Sequence, residues 1–347
     1  MLQRNGLLEA ISEFLEESPI SVADLAKGLL EQTPFQHKLC SMIDFKSVRL
    51  MLASGLISLR DRARLHCIYN GDSTWLSIPP NAKKFNYLNR SQFTSVFRYW
   101  FGLPCQVSGR KCRCGKIIDL FGDHALTCKK GGGVVFRHDL VKKVLFIFAK
   151  EAGMNPLHEL ADYKLNAKDR IGDIVFKYED NGNELLVDVT VWNSLYLDRL
   201  QNSATISDFT AKLAHMEKLS RRQIVDNRVE TQFGWFRYMP FACDTFGGST
   251  QTSKDLMNRI AQEWPIKKSK SLSDSLHFLK SRVSFAIQKG VSRALVMRNI
   301  DARCEMDDLE ELVDDDISVS GESPEDLTDE EDVNFALDDV DWLNVVC

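Results

Sequence analysis

Two groups of residues in this chain have the types and spacing to do chemistry. The first is the run CRCGKIIDLFGDHALTC, Cys112 to Cys128, which holds three of the nine cysteines and one of the seven histidines in seventeen positions. Cys112, Cys114, His124 and Cys128 can supply three thiolates and an imidazole, a complete tetrahedral set for a structural zinc ion. The spacing is C-x-C, nine residues, then H-x3-C, so each close pair can approach a metal from one turn. Gly115 and Gly122 let the backbone bend beside the ligands, and Cys105 or His138 could replace one of the four. The competing reading is that the thiols are small buried hydrophobes and His124 a core side chain.

The second group is a pair of carboxylates in RIGDIVFKYEDNGNELLVDVTV. Two β-rich runs flank Asn181-Gly182, the strongest short hairpin signal. The midpoint of Asp173 and Asp188, 180.5, falls inside the Glu179–Asn183 turn, so a hairpin sets them nearly opposite each other. Alternation puts Val187, Val189 and Val191 on one face of the second strand and Leu186, Asp188 and Thr190 on the other. Opposed carboxylates repel unless a cation sits between them. A few oxygen ligands completed by water suit magnesium or manganese, which can acidify a bound water and neutralise charge on a reacting phosphate. A basic helix, AKLAHMEKLSRR, follows with Lys212, Lys218 and Arg221.

The rest of the chain supplies the frame. Its 347 residues allow two or three domains. No run of eighteen apolar residues occurs, the N-terminus has acids within its apolar run, and the scattered odd cysteines suit a reducing compartment. The net charge of -5 conceals a division. Residues 305–347 carry 18 of the 49 acids and no lysine or arginine, leaving 31 acids against 44 bases, a net of +13. A basic body is consistent with a nucleic-acid partner, although lysines and arginines also solvate helix faces. The expected elements are helices through the first hundred residues (one starting at Ser21, one ending at Gly55, one capped by Ser91) and a loop at STWLSIPPNAKKFNYLN. Then come a helix closed by Gly153, a possible strand near 160–165 and the hairpin. A helix over about 207–222, a strand at WFRYMPFACDTFGG and two further helices complete a mixed α/β core ahead of a disordered acidic tail.

The two-acid hairpin resembles the PD-(D/E)XK nuclease pattern, with R-I-G-D for the first acid and V-D-V-T for the second. Gly172 stands where proline is usual, and Thr190 where that pattern puts its lysine. The wider arrangement resembles the C-terminal region of non-LTR retrotransposon polyproteins that carry a restriction-like endonuclease. The matching blocks are TWLSIPP with FRYWFGLP, the cysteine-histidine run with the RHD after it, the hairpin, and AHMEK with PFACDTFGG, spanning roughly 73–248. In that family the lysine has moved to the helix, which matches Lys218, with Arg221 a turn on and Arg222 where a tyrosine is usual.

The resemblance implies a helical region over 1–104, a zinc module over 105–133, a restriction-like endonuclease core over 134–265, a C-terminal helix over 266–303 and a tail over 304–347. It implies catalysis by Asp173, Asp188 and Lys218 and nucleic-acid contacts from Arg137, His138, Arg170 and Arg221, with capping and packing as the alternative for Arg137 and His138. The implied cofactors are structural zinc and catalytic magnesium or manganese. The implied partners are DNA and element RNA, and the implied location is the nucleus; the tail could bind the chain's own basic body or another protein. No YxDD-like polymerase motif is found, so the resemblance implies the back end of such an element, as a truncated copy, a gene-model fragment or a domesticated protein. The alternative functions are a catalytically inactive zinc-containing binding module and a structural interaction protein.

Overall fold

The computed structural model describes residues 47–80, 86–106, 109, 111–158, 172–176, 184–221, 228–231, 234–268 and 271–303. The expected helix from Ser21, the strand near 160–165, the Asn181-Gly182 turn, Arg170, Arg222 and the tail lie outside them. The chain divides into two compact units, Met1–Ile57 and Ser58–Cys347. In the first, residues 47–53 are helical, ahead of Gly55 as expected.

The second unit holds a five-stranded sheet covered by helices. Its helices are α1 (Leu59–Asn70), α2 (Arg90–Trp100), α3 (Asp123–Thr127), α4 (Gly133–Glu151), α5 (Leu200–Ser203), α6 (Phe209–Arg221), α7 (Gln251–Lys268) and α8 (Leu272–Arg303), with a 3₁₀ turn at Thr74–Ser77. The strands are β1 (Pro156–His158), β2 (Ile174–Phe176), β3 (Leu185–Trp192), β4 (Arg228–Thr231) and β5 (Gly234–Asp244), in the order β1-β2-β3-β5-β4. Among the described strands only β3 and β5 run parallel, and α6 lies in the crossover between them. That central pair is covered on both faces, so β3 is buried from Leu185 through Val191. None of the described helices is long and apolar enough to cross a membrane.

The alternation expected for β3 is observed. Val187, Val189 and Val191 join the main core with Leu145 of α4 and Val291 of α8. Leu186 packs on the other side with Val175, Phe236, Tyr238 and Leu219 of α6. Helix α4 crosses α8 at small residues: a Cβ at Gly290 would come within 2.6 Å of the Arg137 Cβ, and one at Gly133 within 2.8 Å of the Ala294 Cβ. This close crossing holds the start of α4 against the sheet.

One boundary differs from expectation. Helix α2 is capped by Asn89 rather than Ser91: the Asn89 side chain accepts the Gln92 N–H at 2.9 Å, and the Gln92 side chain accepts the Asn89 N–H at 3.1 Å. The reciprocal box satisfies two backbone donors, which outweighs the single bond a serine cap makes.

Candidate functional site

The cysteine-histidine cluster is assembled locally. A tight turn follows Cys112, whose carbonyl accepts the Gly115 N–H at 2.8 Å and whose own N–H reaches the Lys116 carbonyl at 2.8 Å. The second pair rides on α3, where the Asp119 carboxylate accepts the N–H groups of Phe121, Asp123 and His124 at 3.0, 3.1 and 2.6 Å. The four ligand atoms lie within 4.8 Å of one another. Two thiolates on one tetrahedral zinc at about 2.3 Å sit about 3.8 Å apart, and a thiolate and an imidazole nitrogen about 3.6 Å. The Cys112–Cys128 sulfur separation is 3.8 Å, and Cys114 Sγ lies 3.4 Å from His124 Nε2. The set could hold a zinc ion.

The carboxylates come together as the hairpin symmetry requires. The β2–β3 register pairs Ile174 with Val187, one step before Asp173 and Asp188, and the Asp173 N–H donates to the Val187 carbonyl at 2.8 Å. At Asp173 the main-chain ladder ends and its carboxylate takes over, Oδ2 accepting the Val189 N–H at 2.7 Å. The same oxygen lies 2.9 Å from His138 Nε2 on α4. Asp188 Oδ1 accepts Lys218 Nζ at 2.7 Å, and Oδ2 accepts the Tyr238 hydroxyl at 2.5 Å. Both acids, His138, Lys218, Lys142 and Thr190 line an open cleft of about 410 Å³.

The electrostatics separate the two acids. Burial and the charge of Asp173 push the Asp188 carboxyl above its ordinary value, against the pull of Lys218. Burial acts the same way on Asp173, but the hydrogen bond and charge of His138 and the Val189 N–H hold it below the usual carboxylate value. Burial would lower His138, yet its contacts with Asp139 and Asp173 raise it to about 9. His138 therefore carries positive charge at neutral pH and balances Asp173.

Lys218 approaches Asp188 from the side of β3 that carries Thr190. Thr190 and Asp188 point to the same face of β3, and α6 lies over that face, so a residue late on the helix reaches the acid. Lys212 is turned elsewhere, its Nζ donating to the Ser207 carbonyl at 2.9 Å. Arg221 is 71% exposed and ion-paired to Glu217.

Arg137 corrects the expectation of a nucleic-acid contact. Its side chain is 1% exposed, and Nη2 donates to the Leu126 carbonyl at 3.1 Å and the Val191 carbonyl at 3.0 Å. It clamps the cysteine-histidine module to the end of β3, one residue before the histidine that contacts Asp173. Burial lowers its pKa to about 10, which leaves it cationic at neutral pH. A second link joins the module to α1, where Arg60 binds Asp123 through bonds of 2.9 and 3.1 Å.

Tyr238 was not singled out from the sequence. The signal lay in the β5 pattern FRYMPF, where Tyr238 shares the two-residue period of the buried Phe236, but nothing in one sequence states that β5 runs beside β3. Comparison with protein-family models, with curated proteins and with solved structures found no match to this chain.

Proposed function

We propose that the chain is a metal-dependent DNA endonuclease of the PD-(D/E)XK type, of the kind that non-LTR retrotransposons carry behind their polymerase. The observation that carries this reading is the meeting of Asp173, Asp188 and Lys218 in one cleft, with Lys218 Nζ 2.7 Å from Asp188 although 30 residues separate them. The cysteine-histidine module and the basic body, +13 once the acidic tail is set aside, support it.

The donor set fits a hard divalent cation: two carboxylates facing one cleft, with Asp173 close enough to push the Asp188 carboxyl upward. Asp173 and Asp188 would hold magnesium or manganese, which when bound would acidify a water and offset charge on the phosphate. Lys218 is placed to orient the attacking water or stabilise the transition-state charge. His138 orients Asp173 and balances its charge. The Cys112–Cys114–His124–Cys128 zinc would be structural, holding α3 so that Arg137 and the start of α4 stay in place. Proximity to the cleft makes His138 and Lys142 candidates for meeting DNA phosphates, and the exposed Arg221 keeps the nucleic-acid role read from the sequence. DNA, with element RNA as a further partner, and a nuclear location belong to this reading.

A second reading rests on the balanced charges of the cleft. His138 and Lys218 already neutralise Asp173 and Asp188, as they would in a binding module that has lost catalysis. Nicking of supercoiled plasmid by the purified full chain, with and without magnesium or manganese, decides between them. Metal-dependent nicking is expected; none on plasmid, branched or nicked DNA leaves the binding module.

A further inference from the structure

The acid cleft exposes its carboxylates unevenly. Asp173 Oδ2 takes both the Val189 N–H and His138, and among the described residues Oδ1 has no hydrogen-bond partner. Asp188 Oδ1 faces the cleft, where Lys218 meets it at 2.7 Å, and Lys218 is itself a cleft residue. Asp188 Oδ2 points the other way, to the hydroxyl of Tyr238 at 2.5 Å. Tyr238 is 2% exposed and does not line the cleft; its ring packs with Val175, Leu186 and Phe236, and it sits beside Leu186 in the parallel β3–β5 register. A short hydrogen bond to a charged oxygen, from a ring fixed by packing, resists rotation of the carboxylate.

We infer that Tyr238 is a positioning residue that sets which divalent cation the cleft accepts, by pinning one Asp188 oxygen so that the carboxylate offers a cation only the other. This rests on the reading that Asp173 and Asp188 hold a metal. Calcium takes six to eight oxygen ligands and accepts carboxylates through both oxygens as well as one, whereas magnesium keeps near-octahedral geometry with water and single oxygens, so one-oxygen donors favour the smaller ion. Tyr238 therefore discriminates against calcium without touching the cation.

The test is cation binding, measured by calorimetry on the full, zinc-loaded chain with manganese, magnesium and calcium in turn. Tyr238→Phe keeps the ring and removes only the hydroxyl. It should lower the preference for manganese and magnesium over calcium by about tenfold, the scale of losing one hydrogen bond to a charged group. A merely structural role would weaken all three ions together and leave the ratio alone. An unchanged ratio with manganese still bound overturns the inference and leaves the nuclease reading standing. No divalent binding in the wild type overturns both. If Tyr238→Phe does not fold, infrared spectra of the manganese-loaded wild type decide: a wide carboxylate splitting, the mark of one-oxygen coordination, is expected, and a narrow, two-oxygen splitting refutes it.

Discussion

The Cys112–Cys128 cluster and the Asp173–Asp188 cleft both gather side chains of types able to ligate a metal, but they are assembled in opposite ways. The cluster draws every ligand from seventeen consecutive residues and two local turns, and two of its ligand pairs, Cys112–Cys128 and Cys114–His124, stand close to zinc spacing. The cleft draws on α4, β2, β3, α6 and β5, and its acids are held by partners 16 to 50 residues away. A local site depends on its own turns. A distributed site depends on every packing contact that holds its elements in register, and here the local site is one of those contacts. Arg137 joins α3 to β3, and His138 follows it on α4. Damage to the cluster should therefore reach the cleft, whereas damage to the cleft should leave the cluster intact.

That asymmetry can be broken experimentally. The largest effect belongs to Asp188→Asn, which keeps the shape of the side chain and removes its charge: metal-dependent nicking should vanish while bound zinc, measured by elemental analysis, stays near one per chain. Loss of zinc in this variant would refute the independence of the cluster. Cys128→Ser should act in both places. It should release the zinc, lower the melting temperature and, through Arg137, reduce nicking as well; full activity in zinc-free protein would sever the proposed link.

Lys218→Ala should slow nicking by about 10²–10³-fold with cation binding retained, the usual size of one electrostatic stabiliser. Lys212→Ala, whose Nζ is engaged with Ser207, should stay close to wild type, and a reversal of the two would reassign the lysine. Arg137→Ala removes a buried guanidinium bonded to two carbonyls and should cost roughly 2–4 kcal/mol of stability in urea titrations. A folded variant of unchanged stability that loses only DNA affinity would return Arg137 to the role expected from the sequence.

The smallest effect is a pH dependence from a group outside both sites. Asp244 is fully buried, and burial raises it to about 7 although its oxygens accept the Phe246 N–H, the Gly248 N–H and the Ser194 hydroxyl at 2.8, 2.9 and 2.9 Å. Between the ordinary carboxylate value and about 7 the folded chain then binds more protons than the unfolded one, so stability falls as pH rises through that range. Asp244→Asn cannot ionise and should melt higher than wild type at pH 8, with the difference closing towards pH 5. Parallel melting curves across that range would exclude Asp244 as the source.

The chain's sequence by itself determined what is local or strictly periodic. The four zinc-type ligands were legible because their spacing lies within one short segment. The opposition of Asp173 and Asp188 was legible because hairpin symmetry is arithmetic once the turn is placed, and the faces of β3 followed from its two-residue period. Lys218 could be named only through the resemblance, since three basic residues share its helix. Its rotation over the Asp188 face is fixed by the packing of α6 on β3 and β5, in which Leu219 joins Leu186 and Tyr238. Tertiary structure alone decided the rest. The Asn89 box displaced Ser91 as the helix cap, the parallel pairing of β3 with β5 delivered Tyr238 to Asp188, and the close α4–α8 crossing at Gly133 and Gly290 buried Arg137. Each joins groups far apart in the chain, and neither composition nor periodicity records which distant segment will cover a given face.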